Sequence, residues 1–303
     1  MRRLVVLLGV MMILVAGSVR PLTAQEMQPD PSFSNQVLAT YGLPEIEITQ
    51  LEDGYNAPRE VEAGRYLIAL VSDPELSAYL NLVQAPAGLS PADAEEQLLS
   101  AAREDVPVGG WTYGGGTYAF GGDTSWVVLD LPPGEWAWGL TSQPNVDQAE
   151  ETVHLMPLTV TAGAAAATPV AAEIEPAAEV TLTEFVFSGL ERTMLPAGPQ
   201  VWQFTNQGAQ AHHMVLYRTP APVTQDDVTT LFDAFMSATP TPPPSWWVES
   251  VWVGYAAIMS PGQSIVTEYD LAPGSYTALC FIADPETGMP HLMEGMAQSF
   301  TVA

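Results

Sequence analysis

Cys280, the only cysteine of this 303-residue chain, is followed by His291 after ten residues and by Met296 after four more. A His212-His213 pair lies upstream in an apolar run. One soft thiolate, two imidazoles and a thioether form the donor set of a mononuclear copper site, trigonal in nitrogen and sulfur with a long axial sulfur. The first histidine comes from mid-domain, while the other three donors crowd into the last strand and its loop. A rigid scaffold must therefore bring two distant segments to one point.

The rest of the chain describes that scaffold. Glycine and proline are dense (24 and 27), and short β-branched and aromatic runs alternate between turn signals, which predicts an all-β sandwich. Thr181–Phe187, Val201–Phe204 and Ser264–Tyr269 each read as half-buried strands. The chain also repeats itself. At an offset of 134, Glu45-Ile46-Glu47-Ile48-Thr49 matches Glu179-Val180-Thr181-Leu182-Thr183, and Leu82 and Pro86 match Leu216 and Pro220. After an indel, Asp130-Leu131-Pro132-Pro133-Gly134 matches Asp270-Leu271-Ala272-Pro273-Gly274 at an offset of 140. A duplication accounts for both.

Each copy carries one inserted helix, expected from Ser90-Pro91 to about Arg103 and from Thr224 to about Met236 on cap residues and first-turn acids. The expected organisation is a signal peptide over 1–24, a poorly ordered lead-in over 25–42, a sandwich over 43–162, an Ala/Pro linker over 163–178 and a second sandwich over 179–303. The leader rests on Arg2-Arg3, an apolar run from Leu4 to Ala16 and Ala24 before Gln25, a run too short for the roughly 20 residues of a spanning helix. It places the protein in the periplasm or outside the cell. A net charge of −27 argues against nucleic acid and anionic lipid as partners. An exported chain with one cysteine makes no internal disulfide, so Cys280 is buried, paired between chains or ligated.

The run Gln210-Ala211-His212-His213-Met214-Val215-Leu216-Tyr217, followed by Cys280, His291 and Met296, resembles the cupredoxins, the plastocyanin and azurin type of blue copper protein. The resemblance implies two tandem Greek-key β-sandwiches, the second holding one type 1 copper through His212, Cys280, His291 and the axial Met296. It also implies an electron carrier, not an enzyme, with a redox partner docking at an apolar patch of Pro290, Leu292 and Met293 over His291. The residue after the first histidine is often Asn in that family and is His213 here, so His213 is an alternative first ligand, and Met293 an alternative sulfur. The ten-residue loop between Cys280 and His291 is longer than in the small carriers and nearer that of copper nitrite reductases.

The first copy lacks the set. Ala78 stands at the His212 position, Leu140 at the Cys280 position, and His154 is isolated. Trp111, Tyr113, Trp126, Trp136 and Trp138 read as core and rim aromatics. Four histidines with no His-x-His pair do not supply a trinuclear copper cluster. Two other readings stay open: a copper-free envelope binding or scaffold module, and a Cu(I) delivery or storage protein using the thioethers of Met214, Met259, Met289, Met293 and Met296.

Overall fold

The computed structural model describes residues 35–51, 54–104, 106–144, 151–163, 173–191, 194–237, 239 and 241–303. The expected leader, residues 25–34 of the lead-in and residues 164–172 of the linker lie outside the described residues. The first half comprises β1 (Glu45–Leu51), β2 (Gly54–Asn56), β3 (Glu60–Glu62), β4 (Gly64–Val71), β5 (Leu76–Gln84), helix α1 (Pro91–Glu104), β6 (Thr112–Ala119), β7 (Thr124–Leu131), β8 (Gly134–Pro144) and β9 (Thr152–Thr161). The second comprises β10 (Ala178–Thr183), β11 (Val186–Ser188), β12 (Gly198–Asn206), β13 (His212–Thr219), α2 (Gln225–Met236), the single turn α3 (Ser245–Val248), β14 (Val251–Met259), β15 (Ser264–Leu271), β16 (Gly274–Leu279) and β17 (Ala297–Val302).

The fold is all-β. One sheet runs β11-β10-β12-β15-β7-β4-β1-β2 and the other β17-β16-β13-β14-β6-β5-β8-β9-β3. Each sheet therefore crosses from one half to the other, through β15 beside β7 and β14 beside β6, and the strand order mirrors itself about those seams. Period-2 alternation drives the layering, as in β1, whose Ile46, Ile48 and Gln50 point inward and whose Glu45 and Glu47 face solvent. In the ladders Leu82 faces Trp138 and Leu216 faces Ala278, which reproduces both offsets read from the sequence. The main apolar core spans the two halves, from Trp138 and Leu140 to Trp202, Met214 and Cys280.

The seams need small residues. Gly114, Gly115 and Gly116 on β6 meet β14 at one bridge, Met259 to Gly114, and Gly115 takes φ +88° with no room for a side chain against Ile265 of the second half. Tyr79 and Tyr255 join the halves through their hydroxyls at 2.6 Å.

Both helices start where their caps stand. The Thr224 hydroxyl accepts from the Asp227 N–H, and the Asp227 carboxylate accepts from the Thr224 N–H, a reciprocal capping box. Two expectations need correction. The lead-in is ordered from residue 35: Leu38 is buried on Leu67 and Val128 of one half and Val201 and Val266 of the other, and the Val37 and Leu38 N–H groups donate to the Glu268 carboxylate at 2.9 and 2.8 Å. Likewise the linker's last residues belong to the sandwich, with Ile174 in that same cluster and the Ala177 N–H bonded to the Val201 carbonyl.

Candidate metal centre

The chain from β12 to β13 delivers the first imidazole. Asn206 ends β12 fully buried; its amide donates to the Gln210 and Met259 carbonyls, both at 2.7 Å, and accepts from the Gly208 N–H at 2.9 Å. This closes a short loop that delivers His212 as the first residue of β13. A Cβ at Gly208 would lie 2.6 Å from Glu184 Oε1 and 3.0 Å from His212 Nε2, so a side chain there would have to displace the Glu184 carboxylate. Along β13, His212, Met214 and Leu216 alternate with outward-facing His213, Val215 and Tyr217, so the first imidazole enters the sandwich and the second leaves it.

Cys280 follows the last residue of β16, buried in the core. The loop after it is built around Asp284, whose carboxylate accepts from the Glu286 and Thr287 N–H groups at 2.6 and 2.9 Å. It returns through Pro290 to a 3-10 turn, His291–Glu294, closed by Gly295 at φ +119°. Backbone bonds then register the donors: Cys280 N–H to the Met296 carbonyl at 3.2 Å, Met296 N–H to the His291 carbonyl at 2.9 Å, and Leu292 N–H to the Cys280 carbonyl at 2.8 Å. Met296 is buried in the same core as Cys280.

The side chains converge. His212 Nδ1 and His291 Nδ1 are 3.1 Å apart, and Cys280 Sγ is 3.5 Å from His291 Nδ1. The ligand atoms of His212, Cys280 and His291 lie within 4.8 Å of one another, the only such group of three among the described residues. All three side chains are buried. Separations of this order are what one ion with bonds of roughly 2.0–2.3 Å leaves between neighbouring donors.

The hydrogen bonds assign the protons. The Gln210 amide donates to Asp284 Oδ2 at 2.9 Å, so its oxygen, 2.9 Å from His291 Nε2, must accept there. His291 therefore carries its proton on Nε2 and presents an Nδ1 lone pair to the site. The 3.1 Å contact then puts the His212 proton on Nδ1 and strands its Nε2, which is buried without a partner. With that Nδ1 lone pair given to a cation, the His212 proton belongs on Nε2. Two imidazoles and a thiolate converging on one point are a donor set that fits a metal.

Burial keeps these rings neutral. It lowers both His212 and His291 to about 4, the positive form of His291 further disfavouring that of His212. His213 falls to about 3, again through burial first. Both of its nitrogens are engaged, with Nε2 accepting from the Phe281 N–H at 2.9 Å and Nδ1 facing the Tyr255 hydroxyl at 3.1 Å. His213 thus ties β13 to the Cys280 loop from outside the donor cluster. Met293 packs with Leu292 under α2, in a different cluster from Met296.

A buried His213 makes a pH prediction. The imidazole titrates near 6.5 in the unfolded chain, so below that pH the unfolded state binds the extra proton and the folded state does not. The stability His213 contributes is complete above pH 6.5 and is lost as pH falls toward 3. Between pH 7 and 5 the loss is about 2 kcal/mol. In metal-free protein, denaturant unfolding at the two pH values should show a fall shallower by that amount in His213→Phe than in wild type; equal slopes would contradict the assignment.

Three residues over the site were not read from the sequence. The expected strand Thr181–Phe187 is broken into β10 and β11 by a two-residue turn, with Thr183 opposite Val186 and Phe185 at φ +64°. The turn aims Glu184 at the Ala209 and Gln210 N–H groups, which lowers that carboxyl, and sets Phe185 edge-on to His291 at 5.3 Å between centroids. Gln210 closes the other side. The expected patch of Pro290, Leu292 and Met293 does not form over His291, since Pro290 and Leu292 are themselves buried. Trp247 packs against Tyr217, Phe235 and Phe281. In the first half Ala78, Trp138 and Leu140 fill the corresponding core, and Trp111, Tyr113 and Trp136 are buried beside it.

No family model matches the chain, and no curated protein matches it. Among solved structures it is similar to dithionite-reduced auracyanin from Roseiflexus castenholzii, with 22% identity over 41% of this chain and 94% of that one and a TM-score of 0.27. Auracyanin A, a blue copper protein of Chloroflexus aurantiacus, matches at 18% identity over 41% and 99%, with a TM-score of 0.25. Across both halves the copper-containing nitrite reductase of Thermus scotoductus matches at 12% identity, covering 86% of this chain and 61% of its own, with a TM-score of 0.24. Likenesses this distant say nothing of function, which rests on the side chains.

Proposed function

We propose that the second half is a cupredoxin domain, duplicated and then stripped of its donors in the first half, and that it holds one type 1 copper through His212 Nδ1, Cys280 Sγ and His291 Nδ1 with Met296 as the axial donor. The single observation that carries this reading is the convergence of those three buried donors, with the Nδ1 atoms at 3.1 Å and Sγ at 3.5 Å. Copper in such a set supplies a one-electron couple. The chain's own residues supply the rest. Asn206, His213 and the backbone bonds of Cys280, His291 and Met296 fix the donor positions; the core excludes water; Phe185 and Gln210 cover His291.

The role is that of an exported single-electron carrier. Electrons pass over His291 and the half-buried Phe185, next to Val186, which is 45% exposed, and a redox partner docks there against a rim that includes the exposed Glu184. Such a rim suits a basic partner. A non-enzymatic role is supported by the histidine count, because only His154 remains beyond His212, His213 and His291. Transfer of copper itself is disfavoured by the complete burial of the donors, since a delivery site needs access for an incoming ligand.

The test is a redox cycle. Copper-loaded protein is reduced with one equivalent of a one-electron donor, reoxidised, and challenged with a metal-free acceptor protein. Repeated cycles with copper retained support the carrier; transfer of copper to the acceptor without redox exchange would overturn it.

A further inference from the structure

The Gln210 side chain stands between a carboxylate and a candidate ligand, and its two ends are chemically unlike. Its Nε2 donates to Asp284 Oδ2 at 2.9 Å and its Oε1 is 2.9 Å from His291 Nε2. Neither end is loosely held. The Gln210 N–H donates to the Glu184 carboxylate and its carbonyl accepts from Asn206, while Asp284 is buried and its other oxygen takes two backbone N–H groups of its own loop. An ionised carboxylate only accepts, so a flipped amide would set its oxygen against the Asp284 carboxylate, and the orientation is fixed from that end.

We propose that Gln210, oriented by Asp284, is a positioning residue for the metal centre: it holds His291 with its proton on Nε2 and its Nδ1 lone pair toward His212 and Cys280, and passes the Asp284 charge to that imidazole through two aligned hydrogen bonds. This deepens the copper reading and rests on it for its redox consequence, though the proton assignment stands without metal. The relay also gives the long Cys280–His291 loop a purpose, because the turn around Asp284 is what brings a carboxylate within reach of Gln210. Outer-shell partners of this kind typically alter metal affinity by about 10–100-fold. A negative charge at the far end favours Cu(II) over Cu(I), so the relay lowers the potential.

Two variants separate positioning from mere structure. Gln210→Leu removes the acceptor. The paired exchange Gln210→Glu with Asp284→Asn reverses the bond between them but keeps an acceptor at His291, now carrying the charge one bond nearer. Long-range nitrogen–proton NMR on the metal-free proteins should show a slowly exchanging His291 Nε2–H in wild type and in the paired exchange, and its loss in Gln210→Leu. Copper titration should show Cu(II) binding weakened about 10–100-fold in Gln210→Leu. With Cu(I) binding unchanged, each factor of ten raises the potential by about 59 mV. The paired exchange should restore Cu(II) affinity and bring the potential to or below the wild-type value.

A wild-type His291 protonated on Nδ1, or a Gln210→Leu protein with unaltered Nε2–H protection, overturns the relay. So does an unaltered potential in Gln210→Leu. The NMR arm needs no metal, so a protein that failed to bind copper would sink the copper reading and leave the proton assignment still decided.

Discussion

Gly116→Ala should destabilise the fold by more than about 4 kcal/mol. A Cβ at this position would lie 1.8 Å from the Leu80 carbonyl oxygen and 2.7 Å from its carbon, and both are backbone atoms of the neighbouring strand. No rotamer change relieves that contact. The β5–β6 ladder, where Asn81 faces Gly116, must open at the strand that joins the two halves. Substitutions that force such a rearrangement exceed about 4 kcal/mol, against a total stability of about 5–15 kcal/mol. Gly262→Ala is the control. It has φ +81° but nothing within 4 Å of the added methyl, so it should cost only the left-handed backbone penalty of about 1–2 kcal/mol. Denaturant unfolding followed by circular dichroism reads both; a Gly116→Ala protein as stable as Gly262→Ala would refute the seam.

Cys280→Ser should separate folding from metal binding. Serine nearly matches cysteine in size, and burying its hydroxyl in the core costs about 1–3 kcal/mol, so the sandwich survives. The loss of the thiolate should weaken Cu(II) binding by more than the 10–100-fold that outer-shell changes typically cost. A ligand that binds only the folded state at 100 times its Kd stabilises it by about 2.7 kcal/mol. Added Cu(II) should therefore raise the melting temperature of the wild type and leave that of Cys280→Ser unmoved. An equal rise in both proteins would remove Cys280 from the site.

Much of this is legible in the chain because it lives in local patterns. The caps at Ser90 and Thr224 mark helices within a residue or two of their observed starts. The two offsets survive as ladder registers because the period of a strand forbids slippage once one face is buried. His212, Cys280 and His291 stand out in the sequence because their donor types are scarce. Long-range hydrogen bonds between ordinary polar residues leave no such mark. Gln210 and Asp284 look like solvated surface groups until the fold brings them together, and Glu268 gives no sign that it holds residues 37 and 38. The turn at Glu184-Phe185 carries no glycine or asparagine to betray it, so the alternation of 181–187 reads straight through. The sequence does not rank His212 and His213 either; β13's alternation decides which one faces the core.

The most direct measurement is the visible absorption of the purified protein as Cu(II) is added stepwise. An intense thiolate-to-copper band should grow to one equivalent, stop there and remain after free metal is removed. Absence of the band, with no copper retained, would contradict the type 1 centre and leave the sandwich a copper-free binding module.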